Sequence, residues 1–203
     1  MHSIKGKKIA ILATDGVEFS ELTKPKEILE DHEAVCDIVS LKQGTIRTWK
    51  DKDWGDEIEV DVTVPHAEAE EYDALVLPGG VINPDILRMN EEAVHFVSQF
   101  VDSGKPIGAI CHGPWMLVET NILEGRAVTS WPSLKTDLIN AGAKWIDQEV
   151  VADQGLVTSR KPADIPAFCR KLIEEIAEGP HRRTIGVMTE AAERVDRSHH
   201  PKH

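Results

Sequence analysis

"PIGAICHGPWMLVETNIL" (106–123) decides how the chain folds. Its first part, Pro106 to Cys111, is a short apolar run without polar alternation. A run of that kind reads as a strand buried on both faces, as strands in parallel sheets are. Its second part, Gly113 to Leu123, reads as a helix, with Pro114 suited to a first helical position. Cys111 and His112 stand at the junction. Strand, sharp turn and helix in that order imply an α/β architecture.

The pattern extends in both directions. "KIAILAT" (8–14), "AVCDIVSL" (34–41) and "YDALVLPGG" (72–80) read as further buried strands. "SELTKPKEILED" (20–31) and "EEAVHFVSQFVDSG" (91–104) read as helices, the second with Ala93, Val94, Phe96, Val97, Phe100 and Val101 at helical spacing. Gly104 and Pro106 stop it. A polar, tryptophan-containing excursion occupies 45–64. "AVTS" (127–130), "LKTDLINAG" (134–142), "EVVADQGLVTS" (149–159) and "DIPAFCRKLIEEIAEG" (164–179) continue the alternation. The stretch 149–159, with Gln-Gly at its centre, is a strand or a small hairpin. These elements predict one doubly wound α/β domain over 5–179, with a mostly parallel sheet and helices on both faces. Residues 180–203 are polar, hold four of the nine histidines, and read as a flexible or partner-dependent tail.

Composition narrows the function. The 203 residues are 41% hydrophobic and 29% charged, with a net charge of −12. An acidic surface repels phosphate backbones and anionic membranes, so neither nucleic acid nor membrane is expected as a partner. The apolar run near the N-terminus is shorter than the roughly 7–15 residues of a signal h-region, and no stretch approaches the roughly 18 apolar residues of a spanning helix. A cytoplasmic location is expected. The three cysteines have no framework spacing, which suits a reducing compartment. No Cys/His set has zinc-ligand spacing, and no G-x-G-x-x-G follows a strand, so neither a metal nor another cofactor is expected. "SGKPIG" lacks the glycine spacing and the Ser/Thr of a phosphate loop.

Ligands of open parallel sheets bind beyond the carboxyl ends of the strands. Three strand ends there carry chemistry: Asp15-Gly16-Val17-Glu18, Pro78-Gly79-Gly80 and Cys111-His112-Gly113. The segment Ala109-Ile110-Cys111-His112-Gly113 has the layout of a nucleophile elbow, in which small flanking residues let the chain turn sharply and lift the nucleophile above the sheet. A helix starting near Gly113 is expected to favour the Cys111 thiolate through its dipole. Gly79 and Gly80 read as a tight turn, as an oxyanion hole of bare N–H groups, or as both. Glu18 reads as an early-helix acid or as a desolvated carboxyl donating to the sulfur. Asp85, in "NPDILR", reads as a helix N-terminal acid or as the group that orients a histidine. Trp49, Trp54, Trp131 and Trp145 read as packing or interface residues, and Cys36 and Cys169 as inert core thiols.

With "GVEFSEL", "YDALVLPGG", "GKPIGAICHGPWMLVE", "SWPSLKTDLINAGAKWID" and "LVTSRKPADIPAF" in this order, the chain resembles the PfpI family, the cysteine-peptidase-like branch of the parkinsonism-associated deglycase superfamily. The resemblance spans nearly all of 7–178. It implies a flavodoxin-like sandwich, related to class I glutamine amidotransferases, and a homodimer or higher oligomer. It also implies a nucleophile at Cys111 with His112 beside it, a thiol-bonded glutamate at Glu18 and oxyanion glycines at Gly79 and Gly80. In peptidase-type members a glutamate from the adjacent subunit completes a triad; the matching place here holds the shorter Asp85, after a longer loop. Glutamine amidotransferase activity is set aside, because "TSRKPADIP" has no histidine. The function expected is a stress-protective cysteine hydrolase of reactive carbonyls or glycated adducts. An intracellular peptidase, and a non-enzymatic redox sensor or chaperone using Cys111, stand as alternatives.

Overall fold

The computed structural model describes residues 3–181. In chain order the strands are β1 (Lys8–Leu12), β2 (Val35–Ser40), β3 (Thr45–Lys50), β4 (Asp53–Glu59), β5 (Val62–Thr63), β6 (Ala74–Leu77), β7 (Ile107–Ile110), β8 (Ala127–Val128), β9 (Lys144–Trp145), β10 (Val150–Asp153) and β11 (Leu156–Ser159). The α-helices are α1 (Phe19–Asp31), α2 (Ile82–Arg88), α3 (Glu91–Ser103), α4 (Lys135–Asn140) and α5 (Ile165–Glu178). Seven strands form one sheet in the order β10-β11-β7-β6-β1-β2-β5. Every pairing in it is parallel except the β10–β11 edge hairpin. This is the flavodoxin-like α/β fold.

Side chains of successive strand residues point to opposite faces, so each apolar strand supplies two cores. On one face, Ala10, Leu12, Leu75, Leu77, Ile107 and Ala109 pack with Phe96, Val97 and Phe100 of α3 and Leu138 of α4. On the other, Ile9, Ile11, Ala74, Val76 and Ile110 pack with Leu22 and Leu29 of α1 and Phe168, Leu172 and Ile176 of α5. The helix limits follow local chemistry. Asn90 caps α3 by accepting the Ala93 N–H at 2.9 Å, and Gly104 ends it in the left-handed region.

Three segments differ from their sequence reading. The stretch after the elbow is a seven-residue 3-10 helix, Gly113–Glu119, and not an α-helix to Leu123. β8 leaves the main sheet and pairs with β9 in a separate two-stranded one. The polar excursion is an antiparallel β3–β4 hairpin with a register shift between Arg47 and Trp49, followed by the edge strand β5. The expectation for the tail lies mostly outside the described residues. Its second residue, His181, is anchored: its N–H donates to the Gly104 carbonyl at 2.8 Å.

Candidate active site

β7, β6 and β1 are neighbours, so the three chemistry-bearing loops that follow them meet at one edge of the sheet. Asn83, fully buried in α2, ties two of them together, those after β1 and β6. Its Nδ2 donates to the carbonyls of Pro78 (3.0 Å) and Gly79 (3.1 Å), while its Oδ1 accepts the Thr14 N–H at 2.8 Å. In sequence Asn83 is one polar residue in a loop-like "INPD", and nothing marks it as a staple.

The elbow is built as its spacing predicts. Cys111 has φ of 61°, in the left-handed region. That conformation costs a non-glycine residue roughly 1–2 kcal/mol and persists only where the surroundings hold it. The Cys111 N–H donates to the Ser159 carbonyl and its own carbonyl accepts the Trp131 N–H, both at 2.9 Å. Gly113 packs so closely under β6 that a Cβ there would lie 2.1 Å from the Leu77 carbonyl oxygen.

The carboxyl beside the thiol belongs to Glu21, not Glu18. Glu18 sits half-buried at the start of α1, where its Oε1 accepts the Ser20 hydroxyl at 3.2 Å. One helical turn on, Glu21 is fully buried, and its Oε2 accepts the Gly79 N–H at 2.9 Å. Burial is the chief cause that pushes its pKa from 4.5 to about 8; the charge of Glu18 adds to the rise, while contact with the Cys111 thiol and the Gly79 and Gly80 amides opposes it. Residues three apart share a helix face, so the sequence reading stopped one turn short at Glu18, and packing against Gly79 brings Glu21 to the thiol.

The thiol itself is not depressed, as a helix dipole would have made it. Burial drives the Cys111 pKa well above its ordinary value and the Glu21 charge adds to this; the amides of His112 and Gly80 pull the other way and are outweighed. The short 3-10 helix supplies little aligned dipole. With the Glu21 carboxyl raised to about 8 and the Cys111 thiol raised above its ordinary 9.0, both groups are protonated at neutral pH.

His112 also meets the sulfur, with Nδ1 3.3 Å from Sγ. Its Nε2 is 3.3 Å from the Ser133 hydroxyl, and its ring stacks on Trp131 with centroids 6.2 Å apart. Burial lowers the His112 pKa, so the imidazole is neutral at pH 7. Trp131 therefore belongs to the site and not to packing alone.

Gly79 and Gly80 divide the roles the sequence reading gave them jointly. The Gly79 N–H is taken by Glu21, and a Cβ at Gly79 would lie 2.4 Å from Oε2 and 2.8 Å from the Cys111 Cβ. The amides that act on the sulfur are those of Gly80 and His112. Asp85 is exposed in the first turn of α2 and meets no histidine within the chain's described residues. Cys36 and Cys169 are buried thiols, each pushed up to about 12, chiefly by burial.

Residues 7–175 match the DJ-1/PfpI family. The chain belongs to the DJ-1/PfpI family. The Escherichia coli protein named protein/nucleic acid deglycase 2 is 42% identical to it over 168 residues, covering 82% of this chain and 96% of that protein. YraA of Bacillus subtilis, named as a candidate cysteine protease, is 40% identical over 165 residues, covering 81% and 95%. Among solved structures, a two-domain protein of Anabaena variabilis with DJ-1/ThiJ/PfpI-like and ferritin-like domains superposes with a TM-score of 0.79 at 33% identity, over 84% of this chain and 48% of that one.

Away from this DJ-1/PfpI elbow, Glu175, Glu178 and His181 bring three ligand-type atoms within 4.8 Å of one another. Lys171 and His181 already pair with the Glu175 carboxylate, at 3.1 and 2.9 Å. No helix among the described residues is long and apolar enough to cross a membrane.

Proposed function

We propose that this DJ-1/PfpI protein is a cysteine-dependent enzyme acting on reactive carbonyls such as methylglyoxal, or on their adducts with amino groups. The observation that carries this is the left-handed Cys111 thiol flanked by the Glu21 carboxyl and by His112 Nδ1 at 3.3 Å. The names of the deglycase relatives support the same substrate class. In the first step the S–H proton passes to His112 Nδ1 as sulfur bonds to the electrophilic carbon. The carbonyl π pair moves onto oxygen, which the amides of Gly80 and His112 stabilise. The neutral Glu21 carboxyl then gives that oxygen its proton, a role its raised pKa suits at neutral pH.

A peptidase is the second reading. It is favoured by the exposed Asp85, which stands among the exposed apolar residues Val81, Ile82 and Met89, a surface suited to covering by a second copy, and it requires Asp85 to reach His112 of that copy. Pure protein should consume methylglyoxal, and Cys111→Ser should reduce the rate at least about a thousandfold. Consumption that survives the substitution refutes the carbonyl reading. Cys111-dependent cleavage of a fluorogenic peptide with no loss of methylglyoxal would establish the peptidase instead.

A further inference from the structure

His112 has no carboxylate partner among the described residues, yet its ring is held. Nδ1 points at the Cys111 sulfur at 3.3 Å, and Nε2 meets the Ser133 Oγ at the same distance. An imidazole has only these two nitrogens, so the two contacts define both its plane and its rotation about χ2. The segment bearing Ser133 is itself clasped to the elbow. The Trp131 N–H donates to the Cys111 carbonyl at 2.9 Å, and Ser133 follows two residues later in a 3-10 turn, Pro132–Leu134. Trp131 covers one ring face of His112. Strand end, histidine and serine thus form one continuous mechanical unit.

We infer that Ser133 is the positioning residue of His112: its hydroxyl oxygen accepts the Nε2–H, which leaves the Nδ1 lone pair aimed at the Cys111 thiol. The inference rests on the cysteine-nucleophile reading above and adds to it the group that orients the base. A hydroxyl suits this place in a way a carboxylate does not. It accepts from the neutral ring and from the imidazolium that forms when Nδ1 takes the thiol proton, without adding a charge that would hold the ring protonated beforehand. Burial alone acts on the His112 pKa, with no charged group adding to it. The orienting group lies 21 residues downstream of the base, in a loop whose sequence, "WPSL", names no chemistry.

The test uses the full chain and needs no substrate. The rate of Cys111 alkylation by iodoacetamide is measured against pH, with peptide mapping, and the His112 ring is titrated by NMR. Ser133→Ala should slow alkylation at neutral pH by about fivefold to tenfold, the loss of one aimed hydrogen bond. Ser133→Thr, which keeps the hydroxyl, should return the rate to within about twofold of the parent. Ser133→Asp should raise the His112 titration midpoint by about one unit, since a carboxylate at Nε2 stabilises the imidazolium. A serine that merely packs would give none of these shifts. Parental alkylation in Ser133→Ala, or an unmoved His112 titration in Ser133→Asp, overturns the assignment. If methylglyoxal is not consumed while these shifts are seen, the carbonyl reading fails and the role of Ser133 stands.

Discussion

Replacing Glu21 by Gln removes one proton-binding site from the middle of the protein while keeping a carbonyl oxygen to accept the Gly79 N–H. In the folded chain this carboxyl holds its proton up to about pH 8, whereas its ordinary value is 4.5. Between those limits the native state binds more protons than the unfolded state, so stability falls as pH rises, by about 1.4 kcal/mol per unit. The contribution is complete below the ordinary value and lost on passing through the folded one. Glu21 is fully buried, so little solvent screening reduces it. From about pH 5 to about pH 7.5 the parent should lose about 3 kcal/mol through this group. The Cys111 thiol does not share in the change, since its pKa is raised above an ordinary value of 9.0 and both states keep that proton. Asp15 and Asp73, whose pKa values are lowered, act with the opposite sign and equally in both proteins. Urea denaturation of parent and Glu21→Gln at several pH values in this range gives the difference directly. The parent's stability relative to the variant should decline by about 3 kcal/mol over the range. A difference independent of pH would show that Glu21 is an ordinary ionised carboxylate, and the proton-donor role would go with it.

Three further substitutions test the scaffold. Cys111→Gly should be more stable than Cys111→Ala by about 1–2 kcal/mol in chemical denaturation, because only glycine is free of the left-handed penalty at φ of 61°; equal stabilities would mean that the elbow relaxes. Asn83→Ala removes three hydrogen bonds from a wholly buried side chain and should cost about 2–4 kcal/mol, read from the shift of the urea midpoint.

Much of this was legible in the chain itself. The doubly apolar strands at 8–12, 74–77 and 107–110 could be buried only between two helical layers, which is why the parallel sheet was readable without coordinates. The elbow was readable because its small residues are a local steric requirement: Gly113 sits where a Cβ would strike the Leu77 carbonyl. The strand-end glycines were readable as site residues, but not their separate duties, because which N–H is free depends on which carboxyl arrives. The 3-10 helix was missed for a related reason. A proline after a glycine announces a helix start equally well for either helix type, and tertiary packing sets the pitch.

Sequence by itself determined the buried strands, the sharp turn at Cys111 and the histidine beside it, since each follows from the residue types within a few positions of itself. Tertiary structure decided which acid meets the thiol, what holds His112, and how tightly Cys111 keeps its proton. Glu21, Ser133 and Asn83 act across 90, 21 and 69 residues of chain, on Cys111, His112 and Thr14 respectively. Burial, the chief influence on every shifted group at the elbow, is a property of the assembled layers and has no local signature.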